Sequence, residues 1–168
     1  MKLPRYFITL LFFFVGIIYE DVMAYKTETI TFSHISINQG LSQSTVFSIT
    51  QDMEDNMWFS TYDGVNKYDG YDFTVYRHKD NDSTSIAGNI SKCVVTDSKG
   101  RIIVGTNKGV SFYNRELDCF KNYIIDSISE IVVTDIIEVS DELYIINFGN
   151  KLYIFCLLYT SPSPRDCS

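Results

Sequence analysis

An internal repeat constrains this chain more than any other feature of its sequence. STVFSITQDMEDNMWFSTYDGVNKYDGYDF, residues 44–73, and NISKCVVTDSKGRIIVGTNKGVSFYNRELDCF, residues 89–120, superpose at a shift of 45 residues. The shift lays Asp52 on Asp97, Trp58 on Ile103, Thr61 on Thr106, Gly64 on Gly109, Val65 on Val110 and Tyr68 on Tyr113. A weaker third copy runs from Ile131 to Phe155, with Leu152 and Phe155 standing 42 residues beyond Val110 and Tyr113. Fixed periods in this range mark folds built by stacking one supersecondary unit on the next.

Each unit divides into short strands. In the first, STVFSITQD, NMWFSTYD, GVNKYD and YDFTVYRH are rich in β-branched and aromatic residues, the types that fit a pleated surface. Between them lie Asp52-Met53-Glu54-Asp55, Asp63-Gly64 and Asp69-Gly70, and Asp-Gly between two such runs signals a hairpin. The second unit repeats the scheme with KCVVTDS, RIIVGTN, GVSFYN and CFKNYII. No run outside the amino-terminal segment reads as a helix. The expected fold is therefore all-β, a partial β-propeller of about two and three-quarter four-stranded blades.

The blades are read as 44–88, 89–130 and a partial third at 131–155. MWFSTYDGVNKYDGYDF, residues 57–73, becomes the second strand, a hairpin, the third strand, a hairpin and the start of the fourth. Its aromatics are expected to fill the space between neighbouring blades. The segment 25–43 precedes the first blade, and TFSHISI from Thr31 reads as a strand that would complete the last blade of a ring.

The two ends read differently from the middle. Residues 1–24 carry a basic start at Lys2 and Arg5, an apolar run from Phe7 to Ile18, and the small-residue site Val22-Met23-Ala24. That is the pattern of a secretory signal peptide followed by export, and the acidic pair Glu20-Asp21 ends the run short of a spanning helix. Residues 156–168, CLLYTSPSPRDCS, abandon the strand pattern and resemble a translated sequencing-adaptor end, so a non-native tail is expected there. The net charge of −7 argues against nucleic acid or an anionic membrane as partner. Cys93 and Cys119 lie in apolar strand-like runs and read as two buried thiols in preference to a disulfide.

Candidate chemistry is thin. Trp58 reads either as a sugar-stacking platform or as inter-blade core, and Ile103 at the same repeat position favours core. His34 and His78 lie far apart with no partner at metal-ligand spacing. Asp80-Asn81-Asp82-Ser83 is oxygen-rich but lacks the glycine and distant Glu of an EF-hand, and reads as a solvated loop between blades. Asp52 and Asp97 recur at blade turns, where carboxylates cap hairpins. Asn81-Asp82-Ser83 and Asn89-Ile90-Ser91 match glycosylation acceptors. No nucleophile elbow, phosphate loop or Cys-His pair appears. No catalytic residue, no metal site and no cofactor are expected, and the ligand-contacting residues are unassigned.

Gly40-Leu41-Ser42, Gln51-Asp52, Trp58-Phe59-Ser60-Thr61 and Gly64-Val65-Asn66-Lys67-Tyr68-Asp69-Gly70-Tyr71 resemble the sensor domain of hybrid two-component systems of Bacteroidetes. The resemblance covers Phe32 to Phe155. The chain departs from that pattern where Asp55-Asn56 replaces a turn glycine, where Ile103 replaces a second Trp, and in the third unit, which lacks the Gly-Leu pair. The resemblance implies a periplasmic propeller sensor belonging to an inner-membrane histidine kinase. It also implies an oligosaccharide ligand, a homodimer in the full protein, and control of glycan-utilisation genes. The alternative is a fragment of a secreted β-propeller lectin or glycan-active enzyme.

Overall fold

The computed structural model describes residues 29–125 and 132–157. The secretory signal read over 1–24 and residues 158–168 of the tail read over 156–168 lie outside the described residues. The chain divides into two compact units, Met1–His34 and Ile35–Ser168. Of the first, residues 29–34 form no regular secondary structure.

The second unit is three antiparallel meanders. Strands β1 (Val46–Gln51), β2 (Met57–Thr61), β3 (Gly64–Tyr68) and β4 (Phe73–Tyr76) form one sheet in chain order. Strands β5 (Ser91–Thr96), β6 (Ile102–Thr106), β7 (Gly109–Asn114) and β8 (Cys119–Ile124) form the second. The third contains β9 (Val133–Ser140), β10 (Leu143–Phe148) and β11 (Lys151–Cys156). Strand β11 runs through Cys156, and the Leu157 N–H donates to the Glu142 carbonyl at 2.8 Å. A single 3-10 turn, Ile37–Gln39, precedes β1. The stretch 31–37, read from sequence as a ring-closing strand, forms no strand here, and its Ile37 begins the 3-10 turn; a strand exists only where another edge accepts its hydrogen bonds. Among the described residues no helix is long and apolar enough to cross a membrane.

The sheets pack face to face through two apolar joints. The first holds Trp58 and Val65 from the first sheet against Val94, Ile102 and Val104 from the second, with Ile86 and Phe120. The next holds Ile103, Val110 and Phe112 against Val133, Ile136, Tyr144, Ile146 and Phe148. Side chains alternate across a strand, so Ile102 and Val104 face backward while Ile103 faces forward. Tyr144 and Ile146 stand 42 residues beyond Ile102 and Val104 and face backward in the same way. Each fully buried Ile or Val contributes ~1.5–3 kcal/mol, so the joints carry most of the stability.

The same alternation corrects the expectation that all aromatics of 57–73 fill the inter-blade space. Trp58 does, stacked on Tyr76 at 5.6 Å and against Tyr113 at 4.7 Å. Phe59, Tyr68 and Phe73 instead cluster on the opposite face, at 5.9 and 4.7 Å. Tyr62 and Tyr71 are exposed in turns. The outermost faces of the block carry further apolar side chains in the open, Ile49 on one side and Ile137, Leu152 and Ile154 on the other.

The hairpin glycines show why the repeat keeps them. Gly64 has φ +87° and Gly109 φ +145°, and a Cβ on either would stand 2.2 Å from the carbonyl oxygen of Tyr76 or Tyr123 on the next strand. Lys151 takes the equivalent place in the third sheet, whose outer side carries no fourth strand among the described residues. At the first turn of each sheet the left-handed residues are Asp55 (φ 65°), Gly100 (φ 73°) and Glu142 (φ 63°). The missing glycine of the first turn is thus replaced by Asp55, not by Asn56.

Candidate functional site

Two ends of the sheet block must be distinguished. One carries the turns joining first to second and third to fourth strands. The other carries the entries into the inner strands β1, β5 and β9 and the turns joining second to third strands.

At the first end, the turns from β1 to β2 and from β5 to β6 are each organised by one buried carboxylate. Asp52 Oδ1 accepts from the N–H groups of Glu54 (2.9 Å) and Asn56 (3.0 Å), while Oδ2 accepts from Trp58 Nε1 at 2.8 Å and Asn56 Nδ2 at 3.0 Å. Asp97 Oδ1 accepts from the N–H groups of Lys99 (3.0 Å) and Arg101 (2.8 Å). Its Oδ2 accepts from Arg101 Nε at 2.6 Å and from the Tyr144 hydroxyl, one sheet further on, at 2.8 Å. Burial alone would raise both carboxyls. At Asp52 the bonds from Trp58, Asn56 and Glu54 outweigh it, and at Asp97 those from Arg101 and Tyr144 do. Both stay below the usual carboxylate range, so neither is a proton donor near neutral pH. Both cap turns, as the sequence pattern suggested, and Asp97 also ties its sheet to the next.

A cleft of about 640 Å³ opens beside Asp97, lined by Lys99, Arg101, Tyr113, Arg115, Tyr123 and Glu142 among others. Three of its four cations are already paired, and the fourth, Lys121, lies over the Tyr123 ring at 5.4 Å. Lys99 meets Glu142 at 2.9 Å, Arg101 meets Asp97, and Arg115 approaches Glu54 at 3.6 Å. Charges held this way bind turn to turn and leave little for a ligand.

Between the first two sheets, Asp118 Oδ1 accepts from the hydroxyls of Tyr76 (2.5 Å) and Tyr113 (2.7 Å). Burial, together with that carboxylate, raises the Tyr76 phenol and pushes Tyr113 up to about 12. Lys67 Nζ lies 5.9 Å from both the Trp58 and Tyr113 rings. Trp58 itself is 0% exposed, so it is core and no platform for a sugar.

The other residues singled out in the sequence are scaffold. His78 Nδ1 contacts the Ile86 carbonyl at 2.8 Å and its Nε2 lies 3.3 Å from Lys108 Nζ, whereas His34 is exposed. Asp82 turns inward to cap its own loop, accepting from the Thr84 N–H at 3.0 Å and its hydroxyl at 2.5 Å. Cys93 is buried and Cys119 half-buried, both as free thiols. Among the described residues no group of three or more His, Cys, Asp or Glu stands together as a metal site.

At the other end, two hydroxyls repeat a turn cap. Thr61 Oγ1 donates to the Gly64 carbonyl at 2.9 Å, and Thr106 Oγ1 to the Gly109 carbonyl at 3.0 Å. Asn66 is fully buried and bonded both ways to Ser42, through the Ser42 N–H (2.8 Å) and Oγ (2.8 Å). This end also exposes Phe47 and Tyr62, whose rings meet edge-on at 4.5 Å, with Lys92 Nζ 5.8 Å from the Phe47 ring. Sequence reading missed these three, because the residue type at their repeat positions is not kept between copies.

The comparisons with known proteins agree with this architecture. Residues 40–63 match the family model described as two component regulator propeller. Over 48 residues the chain is 52% identical to Histidine kinase P4 of Formosa agariphila, a stretch covering 29% of this chain and 4% of that protein. Two structures of the extracellular domain of BT4673 from B. thetaiotaomicron, one named a one component and the other a hybrid two component system, share the fold. Their TM-scores are 0.62 and 0.60 at 18% and 17% identity, over 85% and 77% of this chain. The chain spans 19% and 17% of those solved chains, a small part of the proteins it matches. This protein therefore carries a two-component regulator propeller repeat, set in a stack of β-sheet blades.

Proposed function

We propose that this chain is part of the periplasmic sensor region of a hybrid two-component system, binding an oligosaccharide and so controlling genes for glycan use. The observation that carries the reading is the propeller repeat at 40–63, supported by the 48-residue identity to a histidine kinase. The geometry supports a binding scaffold over an enzyme. Its buried carboxylates are held ionised by turn N–H groups and cross-sheet donors, so they serve structure. In this reading the longer protein is an inner-membrane homodimer. The ligand favours one of two arrangements of the sensor pair, and the kinase reads that bias.

Deleting the gene that carries this chain in its source bacterium tests the proposal. Transcripts of glycan-degrading enzymes should rise on one complex polysaccharide in the parent strain and fail to rise in the deletion strain. Unchanged induction across a broad polysaccharide panel would refute it.

A further inference from the structure

Each inner strand opens with a β-bulge, and the three bulges fall at one repeat position. Val46 pairs with Thr61 and Ser48 with Ser60, leaving Phe47 outside the ladder. Ser91 pairs with Thr106 and Cys93 with Gly105, leaving Lys92 outside. Val133 pairs with Phe148 and Asp135 with Asn147, leaving Thr134 outside. A bulge re-aims one side chain out of the pleat, and bulges concentrate beside binding sites. Here the backbone device is constant while the residue it presents is not.

This is the reverse of the scaffold positions, where Asp, Thr and Gly recur because the turn needs them. Phe47 is 38% exposed and its neighbour Tyr62 45%, and the two rings pack against each other at the surface, outside both joints. Lys92, like Lys67, Lys79, Lys108, Lys121 and Lys151, has no ion pair among the described residues, whereas Arg77, Lys99, Arg101 and Arg115 each have one. Its ammonium is held over the Phe47 ring, beside the edge-on Tyr62. A ring face and an uncommitted cation, presented together by aligned bulges, suit an apolar sugar face and an anionic substituent at once.

We infer that Phe47, Tyr62 and Lys92 form a subsite for a sugar ring bearing a carboxylate or a sulfate, with Phe47 and Tyr62 as the stacking surface and Lys92 as the anion contact. The inference rests on the sensing reading and deepens it by naming the ligand class.

Calorimetry on the 168-residue chain at low salt, with tetragalacturonate, a sulfated galactose tetrasaccharide and cellotetraose as probes, tests it. One anionic probe should bind at least about tenfold tighter than cellotetraose. Phe47→Ala and Tyr62→Ala should each weaken that probe about tenfold, and Lys92→Gln should erase the preference for it. Thermal melting should stay unchanged, and Phe47→Leu, which keeps the bulge apolar, guards against a folding effect. The carboxylate and sulfate arms identify the source of the anion. Binding of no probe, or binding that all three substitutions leave intact, overturns the subsite. In either case the induction experiment decides separately whether the sensing reading stands.

Discussion

Asp97→Ala is the most informative perturbation of the scaffold. The side chain is 0% exposed, and it holds the turn between β5 and β6 while reaching Tyr144 in the next sheet. Its removal leaves the Tyr144 hydroxyl without its acceptor and frees two turn N–H groups, while the Arg101 guanidinium keeps only the Tyr144 hydroxyl at 2.6 Å and Glu142 at 3.9 Å. Breaking a buried charged pair costs about 3–5 kcal/mol. The Arg101 side chain is 30% exposed, so water recovers part of its solvation and the lower figure applies. For a domain of this size a loss of about 3 kcal/mol lowers the melting midpoint by roughly 10 °C.

Urea denaturation of Asp97→Ala, Tyr144→Phe and the double variant measures the tie directly. Tyr144→Phe removes two hydrogen bonds, one given to Asp97 and one accepted from Arg101, and alone should cost about 1–2 kcal/mol at the typical net worth of each. The double variant should cost less than the two singles together by about 1 kcal/mol, the coupling expected of groups in contact. A loss under about 1 kcal/mol for Asp97→Ala, or strictly additive singles, would show that the second and third sheets are not joined through this carboxylate.

Other consequences can be measured alongside it. Asp52 and Asp97 titrate below the ordinary aspartate value of 3.8 when folded. Their stabilisation is complete above that value and is lost as pH falls through the folded ones, so acid unfolding should be steep below about pH 4 and shallower in Asp97→Asn. Gly109→Ala forces a Cβ to 2.2 Å from the Tyr123 carbonyl oxygen at φ +145°, and should lower stability by at least about 2 kcal/mol in the same denaturation assay. Trp58→Ile copies the residue of the second sheet but loses the bond to Asp52, and should cost about 2–4 kcal/mol without changing the strand content seen by circular dichroism. Burial, with help from Asp135, pushes the Cys93 thiol up to about 12. Alkylation followed by peptide mapping should therefore leave Cys93 unmodified until urea unfolds the chain.

The strands and hairpins were legible because each is written twice. Where Gly64 and Gly109 or Thr61 and Thr106 coincide, the backbone demands one residue, and the demand survives in both copies. What could not be read depends on register. Tyr144 reaches Asp97 only because β10 places it facing backward, and nothing in YIINF announces that. Likewise Phe59 and Trp58 are neighbours in sequence, yet pairing sends one outward and the other into the joint. The segment 31–37 forms no strand here for a related reason, since a β-rich composition supplies the propensity for a strand but not its partner. Phe47 and Lys92 were invisible because a bulge is a property of two strands, and the sequence of one does not reveal where the other skips.

The outward faces at Ile49 and at Ile137, Leu152 and Ile154 have a consequence beyond their exposure. Each repeats one half of a joint that the chain already builds twice within itself, and the two halves are of opposite kind. A stack with such a front and back has a direction, like a row of bricks with a tongue on one side and a groove on the other. A further sheet of the same pattern fits at either end without altering those in place, so the number of blades is free to vary while the joint stays fixed. The same polarity makes an uncovered stack adhesive, and substituting charge at Ile49 or Ile154 should raise its solubility without loosening its interior.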